Sequence, residues 1–282
     1  MPAVDVHQHL WPEALVAALR RRSAPPRLDG SVLELEEGRF EVDLDAHGLE
    51  RRLAELDRDG IAVAVVSLQP TLADPLPVEL VDAYHEGVLE LSERAGGRIR
   101  PLAAGAALEG FAGASLAAAR LLELDGEAPL LDELERRGSF LFVHPGPARS
   151  RPGAPAWWAP GVDYVAQMQA AYAAWLAAGA ERWPRLPVVF AILAGGAPFQ
   201  LERLAGRGLD VRAALGADVY FDTATYGRRA LELCLATFGV GRIVYGSDAP
   251  VMDSRTMLRE LRTFGGAVVA AVCDENPTYL IG

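Results

Sequence analysis

The chain has 282 residues, of which 51% are hydrophobic and 23% charged, a composition typical of globular enzymes and not of disordered proteins. Its formal net charge of -11 makes the surface repel nucleic acids and anionic membranes, so we expect a small-molecule substrate and neither a nucleic-acid nor a membrane partner. Its two cysteines form no CxxC pair, and no apolar run reaches the length of a membrane span. These features predict a cytoplasmic protein.

Short apolar runs alternate with longer segments of helical period along the chain. This alternation is expected of repeated βα units around a parallel sheet. Eight runs predict the strands of a (β/α)8 barrel: Ala3 to His7, Ile61 to Leu68, Ile99 to Ala106, Ala112 to Ala118, Ser139 to His144, Pro187 to Leu193, Val219 to Asp222 and Arg242 to Gly246. Barrels of this type commonly reach this length as one domain. We therefore predict a single α/β domain, a TIM barrel, over residues 1–282.

The segment from Ser31 to Asp43 breaks this rhythm. Val, Leu and Phe alternate there with Glu and Arg around Gly38. Such alternation around a glycine predicts a β-hairpin. We expect a small hairpin insertion beside the C-terminal end of the first strand.

Two histidines, His7 and His9, end the first predicted strand with one residue between them. Since residues i and i+2 of a strand face the same way, both imidazoles can converge on one ion. His144 and Asp248 end the fifth and eighth predicted strands, where catalytic residues of such barrels gather. Three imidazoles and a carboxylate suit zinc, with manganese, iron or cobalt as alternatives. The remaining histidines are interpreted as surface or helix-packing residues: His47 and His85.

Further polar and aromatic residues lie near these strand ends. Asp222 ends the seventh predicted strand, and Arg149 and Trp157 lie in the loop that follows His144. A guanidinium there would bind a substrate carboxylate, and an indole would line the pocket. We keep Arg149, Trp157 and Asp222 as candidate substrate-binding residues, beside the alternative that they are ordinary loop residues.

Six short motifs occur together over nearly the whole chain: Asp5-Val6-His7-Gln8-His9, Asp59-Gly60-Ile61, Phe142-Val143-His144-Pro145, Gly195-Gly196, Tyr245-Gly246-Ser247-Asp248-Ala249-Pro250 and Glu275-Asn276-Pro277. Their combination resembles the amidohydrolase-2 family, which includes aminocarboxymuconate-semialdehyde decarboxylase and sugar-lactone hydrolases. The resemblance implies one divalent metal ion held by His7, His9 and His144, with Asp248 as the carboxylate at the eighth strand. It also implies a homodimer.

The sequence departs from this family at one position. The family carries a histidine just before the glycine pair that follows the sixth strand, where this chain reads Ile192-Leu193-Ala194-Gly195-Gly196. Neither Leu193 nor Ala194 can transfer a proton, and no histidine occurs after His144. In decarboxylase-like members that histidine assists the metal-bound water. Its absence therefore bears on the mechanism more than on the metal site.

The function that these residues favour is metal-dependent hydrolysis of a small carbonyl compound, an amide, lactone or ester. A bound cation lowers the pKa of its water towards about 7, and that water attacks the carbonyl. In this scheme Asp248 is the catalytic residue, as ligand, as proton acceptor or as both. One alternative is non-oxidative decarboxylation of an aromatic or unsaturated acid. Another is a barrel that binds metal or ligand and has lost turnover.

Overall fold

The computed structural model describes residues 3–212, 216 and 218–282. Eight parallel strands lie side by side in their order along the chain and form a nearly closed barrel with helices around it. The barrel strands are β1 Ala3–His9, β5 Ile61–Ser67, β6 Ile99–Ala103, β7 Gly113–Ala117, β8 Phe140–His144, β9 Val188–Phe190, β10 Val219–Asp222 and β11 Ile243–Val244. The predicted (β/α)8 barrel is confirmed.

Helices separate the strands and cover the outside of the barrel. Their bounds are α1 Glu13–Arg21, α2 Leu49–Asp59, α3 Val78–Arg94, α4 Leu124–Arg137, α5 Tyr164–Ala174, α6 Ala180–Arg182, α7 Leu193–Ala205, α8 Arg228–Phe238, α9 Ser254–Arg262, α10 Gly266–Ala270 and α11 Asn276–Ile281. Within the described ranges, none of these helices combines the length and the apolar character that crossing a bilayer requires.

A second, antiparallel sheet follows α1 and has three strands, β2 Arg27–Asp29, β3 Val32–Leu35 and β4 Gly38–Glu41. In the β3–β4 hairpin, Val32 pairs with Glu41 and Leu35 with Gly38. The predicted hairpin insertion is confirmed. Strand β2 was not predicted, because three residues are too few to show an alternation of apolar and polar side chains.

Strand β8 is apolar until it reaches the carboxyl rim of the barrel. The first four residues of β8, Phe140 to Val143, are fully buried, as expected of a parallel strand covered on both faces. His144 ends this run and is 7% exposed. The change from apolar to polar side chains at the end of the strand therefore places His144 at the rim.

The segment after β11 is joined to β1 by backbone hydrogen bonds. The amide of His9 donates to the carbonyl of Ala249 over 2.8 Å, and the amide of Asp248 donates to the carbonyl of His7 over 2.8 Å. These backbone bonds alone hold Asp248 beside the two histidines of β1.

Candidate metal centre

The structure brings four predicted side chains together at the carboxyl rim: His7, His9, His144 and Asp248. One potential ligand atom from each lies within 4.8 Å of the other three. The Nε2 atoms of His7 and His9 are 3.2 Å apart. Asp248 Oδ1 lies 3.2 Å from His9 Nε2 and 3.5 Å from His7 Nε2. The spacing is small enough for one ion to be shared among them.

Each of the three imidazoles is held at its Nδ1 by an oxygen that can only accept a hydrogen bond. The distances are 2.7 Å from His7 to Asp222 Oδ2, 3.1 Å from His9 to the carbonyl of Ser67 and 2.9 Å from His144 to the carbonyl of Pro145. The Nδ1 atoms therefore carry protons and donate them. In a neutral ring this leaves the Nε2 lone pair free, which is how a bond at the other ring nitrogen orients metal-ligating histidines.

The charges in this cluster differ from one group to the next. Burial lowers the pKa of His9 and lowers that of His144 further. Burial also opposes a charge on His7, but the carboxylate of Asp222 outweighs it and raises the pKa of His7 to about 9. Burial opposes the charge of Asp248 as well, yet the hydrogen bond with His9 and the nearby imidazoles keep its pKa below the usual value. A proton on His7 is therefore what a metal ion has to displace.

The donor set decides which ions fit. Three imidazole nitrogens and one carboxylate oxygen suit zinc, manganese, iron or cobalt, whereas calcium and magnesium prefer sets of oxygen atoms. The side chain of Asp248 is 16% exposed, and that of His7 is 1% exposed. Asp248 is therefore the member through which solvent or a substrate reaches the cluster most easily.

A family model described as amidohydrolase matches residues 4–282. The chain belongs to the amidohydrolase family. A search of curated proteins found no match. The resemblance seen in the six sequence motifs is thereby confirmed at the level of the family.

Three solved structures illustrate how widely this fold is shared. IDCase of Metarhizium anisopliae matches with a TM-score of 0.78 and 18% identity over 99% of this chain and 97% of that one. 2,6-Dihydroxybenzoate decarboxylase of Rhizobium matches with a TM-score of 0.71 and 15% identity over 100% of this chain and 98% of that one. 5-Carboxyvanillate decarboxylase of Novosphingobium aromaticivorans matches with a TM-score of 0.73 and 15% identity over 99% of this chain and 96% of that one. That structure was solved with manganese and 4-hydroxy-3-methoxy-5-nitrobenzoic acid. At these identities the likeness shows the fold.

The histidine that this chain lacks would lie in residues 192–196, which follow β9. The backbone of this segment is left-handed, although the range of α7 begins at Leu193. All five residues from 192 to 196 have positive φ, from 46° at Ile192 to 88° at Gly196. Leu193 and Ala194 are fully buried. At Gly195 a Cβ atom would lie 2.4 Å from the carbonyl of Val165, so only glycine fits there. Each non-glycine residue in this conformation costs about 1–2 kcal/mol, so the surrounding contacts have to hold the segment.

Asp222 lies behind His7 and not at the barrel mouth. It is fully buried; Oδ2 contacts His7, while Oδ1 accepts hydrogen bonds from the amides of Ile192 and Ala224, each over 2.9 Å. Both carboxylate oxygens are thus bonded to the protein. This geometry favours positioning of His7 over the predicted contact with substrate.

Gly246 allows the last barrel strand to approach this pair. A Cβ atom at Gly246 would lie 2.8 Å from the Cβ of His7 and 3.0 Å from the Cβ of Asp222. Contacts of this length do not occur between real carbon atoms, so a larger residue would displace His7 or Asp222. Gly246 is therefore required for the packing of His7 against Asp222.

The loop after His144 leaves two predicted substrate-binding residues on the surface. Arg149 is exposed, and Trp157 is 63% exposed. The four-residue cluster is buried, so the structure does not bring either side chain into it. A contact of Arg149 or Trp157 with substrate stays a prediction.

Glu37, in the turn between β3 and β4, connects the small sheet to the loop and helix after β8. Its Oε2 accepts a hydrogen bond from the amide of Ala148 over 2.5 Å, and its Oε1 accepts one from the hydroxyl of Tyr164. Burial raises the pKa of Glu37. Sequence reasoning missed this contact, because it depends on where the hairpin lies relative to a loop more than 100 residues away.

Two further histidines lie outside the cluster. His47 is 6% exposed and stacks on Trp11, so of its two predicted roles, surface or packing residue, the structure supports packing. His85 is half-buried on α3 and its Nε2 accepts a hydrogen bond from the amide of Ala104 over 2.9 Å, which agrees with a helix-packing role. Helix α2 begins only after His47, which instead ends a 3-10 turn, Leu44–His47, that folds back onto the barrel rim.

Proposed function

We propose that the chain is a metal-dependent decarboxylase that removes CO2, without an oxidant, from an aromatic or unsaturated carboxylic acid. The observation that carries this proposal is the convergence of the His7, His9 and His144 imidazoles and the Asp248 carboxylate at the carboxyl rim of the barrel. The sequence alone favoured hydrolysis. Similar solved structures named as decarboxylases favour the alternative.

The Nε2 atoms of His7, His9 and His144, with Asp248, would hold one divalent ion, which we assign as zinc, with manganese as the next choice. When bound, this ion supplies charge that polarises the oxygen atoms of the substrate and stabilises the electron pair left by the lost carboxylate. Asp222 keeps His7 oriented with Nε2 towards the centre. The protein thus contributes a fixed and dry set of donors.

The two candidate reactions make different demands on the side chains. Hydrolysis needs a base to remove a proton from the attacking water and an acid to protonate the leaving group. Decarboxylation breaks one carbon–carbon bond, releases CO2 and delivers one proton to the remaining carbon. Asp248, with its 16% exposed side chain, can pass that single proton from solvent. Decarboxylation therefore needs fewer proton-transferring groups than hydrolysis, and Asp248 can supply the one that it needs.

Apolar side chains pack around the cluster inside the protein. Leu193 and Ala194 take the place of a polar group on the segment after β9. The ring of Phe142 lies 5.0 Å from the ring of His7, measured between centroids, at an angle of 70°. These side chains are fully buried and support the cluster from within the barrel, so the aromatic class of substrate rests on the similar structures named as decarboxylases.

The test is a decarboxylation assay on the protein loaded with zinc or with manganese. A panel of hydroxylated benzoates, beginning with 2,6-dihydroxybenzoate and 5-carboxyvanillate, is incubated with each form, and CO2 release and loss of the acid's absorbance are followed. A parallel panel of lactones, esters and amides reports hydrolysis. Metal-dependent CO2 release supports the proposal, and turnover on the second panel alone overturns it.

Asp248→Asn provides the matched variant for this assay. It keeps the size of the side chain but removes its charge and its ability to hold a proton, so we expect turnover to fall while the protein stays folded. Asp29→Asn, at an exposed carboxylate of β2, is the control and should keep full turnover. A metal-loaded wild-type protein that turns over neither panel would instead indicate the barrel without catalysis.

A further inference from the structure

The pairing of β1 with β5 is irregular where the histidines of β1 begin. Asp5 pairs with Ala64, and Gln8 pairs with Val66. Since three steps along β1 thus match two along β5, β1 accommodates one extra residue, as in a β-bulge. A bulge takes a residue out of the regular ladder and re-aims the side chains beside it. His7 lies in this segment, so the direction of its imidazole depends on what holds the bulge.

The carboxylate of Asp5 holds this segment. Its Oδ1 accepts hydrogen bonds from the backbone amides of His7 and Ser247, each over 3.1 Å. Asp5 is fully buried, so the two amides bond a charged acceptor away from water, and such bonds are stronger than those between neutral groups. Ser247 immediately precedes Asp248 in the chain. One oxygen atom therefore joins the backbones of two segments that carry potential metal ligands.

The second oxygen of Asp5 begins a line of buried hydrogen bonds. Asp5 Oδ2 accepts from Gln8 Nε2 over 2.8 Å, and Gln8 Oε1 accepts from Arg52 Nη1 over 3.2 Å. The three residues are 0%, 1% and 1% exposed. We call this set the Asp5–Gln8–Arg52 chain. It connects helix α2, which carries Arg52, with the bulge of β1.

The Gln8 amide can take only one orientation in this chain. An ionised carboxylate only accepts hydrogen bonds and a guanidinium only donates them, so the amide nitrogen faces Asp5 and the amide oxygen faces Arg52. Reversing the amide would bring two acceptors together at Asp5 and two donors together at Arg52. The chain therefore has a single bonding pattern from the guanidinium to the carboxylate.

Arg52 is itself held at its two terminal nitrogens. Its Nη2 donates to the carbonyl of Ala46 over 3.0 Å, and its Nη1 lies 3.7 Å from Glu55 Oε2. Its Nε has no hydrogen-bond partner among the residues that the structure describes. Burying a cation without all of its acceptors is costly, which favours a role for Arg52 in fixing the neighbours that it bonds.

We infer that the Asp5–Gln8–Arg52 chain positions His7 and Asp248 relative to each other, at the spacing that a shared metal ion requires. His7 Nε2 and Asp248 Oδ1 are 3.5 Å apart, and the backbones that carry them are bonded to the same Asp5 oxygen. This inference rests on the metal centre of the proposed function. The chain acts through backbone amides, whereas Asp222 bonds the His7 ring itself. Disrupting the chain should weaken metal binding while every ligand stays in place.

An exchange of the acid and the amide tests the chain with almost no change in shape. Asp5→Asn alone brings two donors face to face, either at Gln8 or at Arg52, and Gln8→Glu alone brings two carboxylates face to face. Each should lower the zinc affinity about 10–100-fold, measured by competition with a chelator of known affinity. Combining both substitutions moves the charge one side chain along and restores every donor–acceptor pair. We therefore expect the double variant to recover most of the lost affinity.

The outcome of the double variant decides the test. Losses that multiply, as for independent positions, overturn the inference, and so does wild-type affinity in both single variants. The visible absorption of the cobalt-loaded protein reports the geometry of the ligands, so the single variants should change this spectrum and the double variant should restore it. Gln200→Glu, at a partly exposed glutamine of α7, is the control for an added charge and should change neither readout.

Arg52→Met tests the far end of the chain. It keeps the length of the side chain but removes its donors, so the zinc affinity should fall, though less than in Asp5→Asn, because the Asp5 carboxylate keeps its bonds to both amides. Arg51→Met, at the exposed neighbour on α2, is the matched control and should keep wild-type affinity. Equal affinities of these two variants overturn the inference.

The wild-type protein distinguishes this inference from the proposed function. A wild type that binds no zinc overturns both. A wild type that binds zinc without releasing CO2 from any acid of the panel overturns the proposed function alone, since the affinities of the variants still report on the Asp5–Gln8–Arg52 chain.

Discussion

Above β1 and β8 the barrel rim presents three imidazole nitrogens, whereas above β9 it presents left-handed backbone and buried apolar side chains. Both regions follow parallel strands of the same barrel, so the architecture does not explain the difference. Asp222 connects them: one of its oxygens contacts His7 and the other accepts from the amide of Ile192. One buried carboxylate therefore supports the polar rim segment and the apolar rim segment together.

The largest expected effect comes from removing a donor of the polar region. His144→Ala leaves two imidazoles and Asp248, and its loss of metal affinity should exceed the about 10–100-fold that loss of a supporting partner costs. Elemental analysis of protein purified without chelator should find close to one transition-metal ion per wild-type chain and almost none in the variant. His85→Ala should retain the metal. Equal metal content in both variants would contradict the ligand assignment.

A smaller effect is expected from the carboxylate that the two regions share. Asp222→Asn keeps the side chain's size but replaces one acceptor with an amide group, so His7 loses the charge that orients it. Metal affinity should fall about 10–100-fold, as measured by competition with a chelator of known affinity. Asp218→Asn, at a partly exposed carboxylate paired with Arg242 over 3.1 Å, is the matched control. Wild-type affinity in Asp222→Asn would mean that the two regions are independent.

The metal affinity should fall by about tenfold for each unit by which the pH is lowered below the pKa of His7. The pKa of His7 is raised to about 9, so the metal-free protein holds a proton there at neutral pH, whereas the pKa values of His9 and His144 are lowered and these rings are neutral. Binding therefore releases about one proton, and affinity rises with pH up to the pKa of His7. Calorimetry in two buffers of different ionisation heat measures this proton. Binding without proton release would contradict the charge assigned to His7.

The smallest effect on the metal should come from the apolar region. Leu193→Ala opens a cavity at a fully buried position and should lower the free energy of unfolding by about 2–5 kcal/mol, measured by urea denaturation. Metal affinity should stay at the wild-type value, because Leu193 is not among the four residues that supply donor atoms. Leu141→Ala, in the buried strand β8, is the stability control. A loss of affinity as large as that of Asp222→Asn would show that the apolar segment also positions the donors.

Sequence reasoning predicted best those features that follow from the pattern of apolar and polar residues along the chain. The apolar runs predicted all eight barrel strands, and the strand-end positions of His7, His9 and His144 placed their side chains on one rim, because parallel strands end at the same edge. The same reasoning could not choose between a surface and a packing role for His47, since helical periodicity says nothing about a turn that folds back onto Trp11. The homodimer and the cytoplasmic location stay predictions.

The sequence by itself determined the barrel, the hairpin insertion and the polar donors at the ends of β1, β8 and β11, because strand periodicity and the common direction of parallel strands are properties of the chain order. Three contacts came from the packing alone: Asp222 bonds His7, Glu37 accepts from Ala148, and His47 stacks on Trp11. These contacts join segments far apart in the chain, and their geometry depends on how helices and loops pack, which no local pattern encodes.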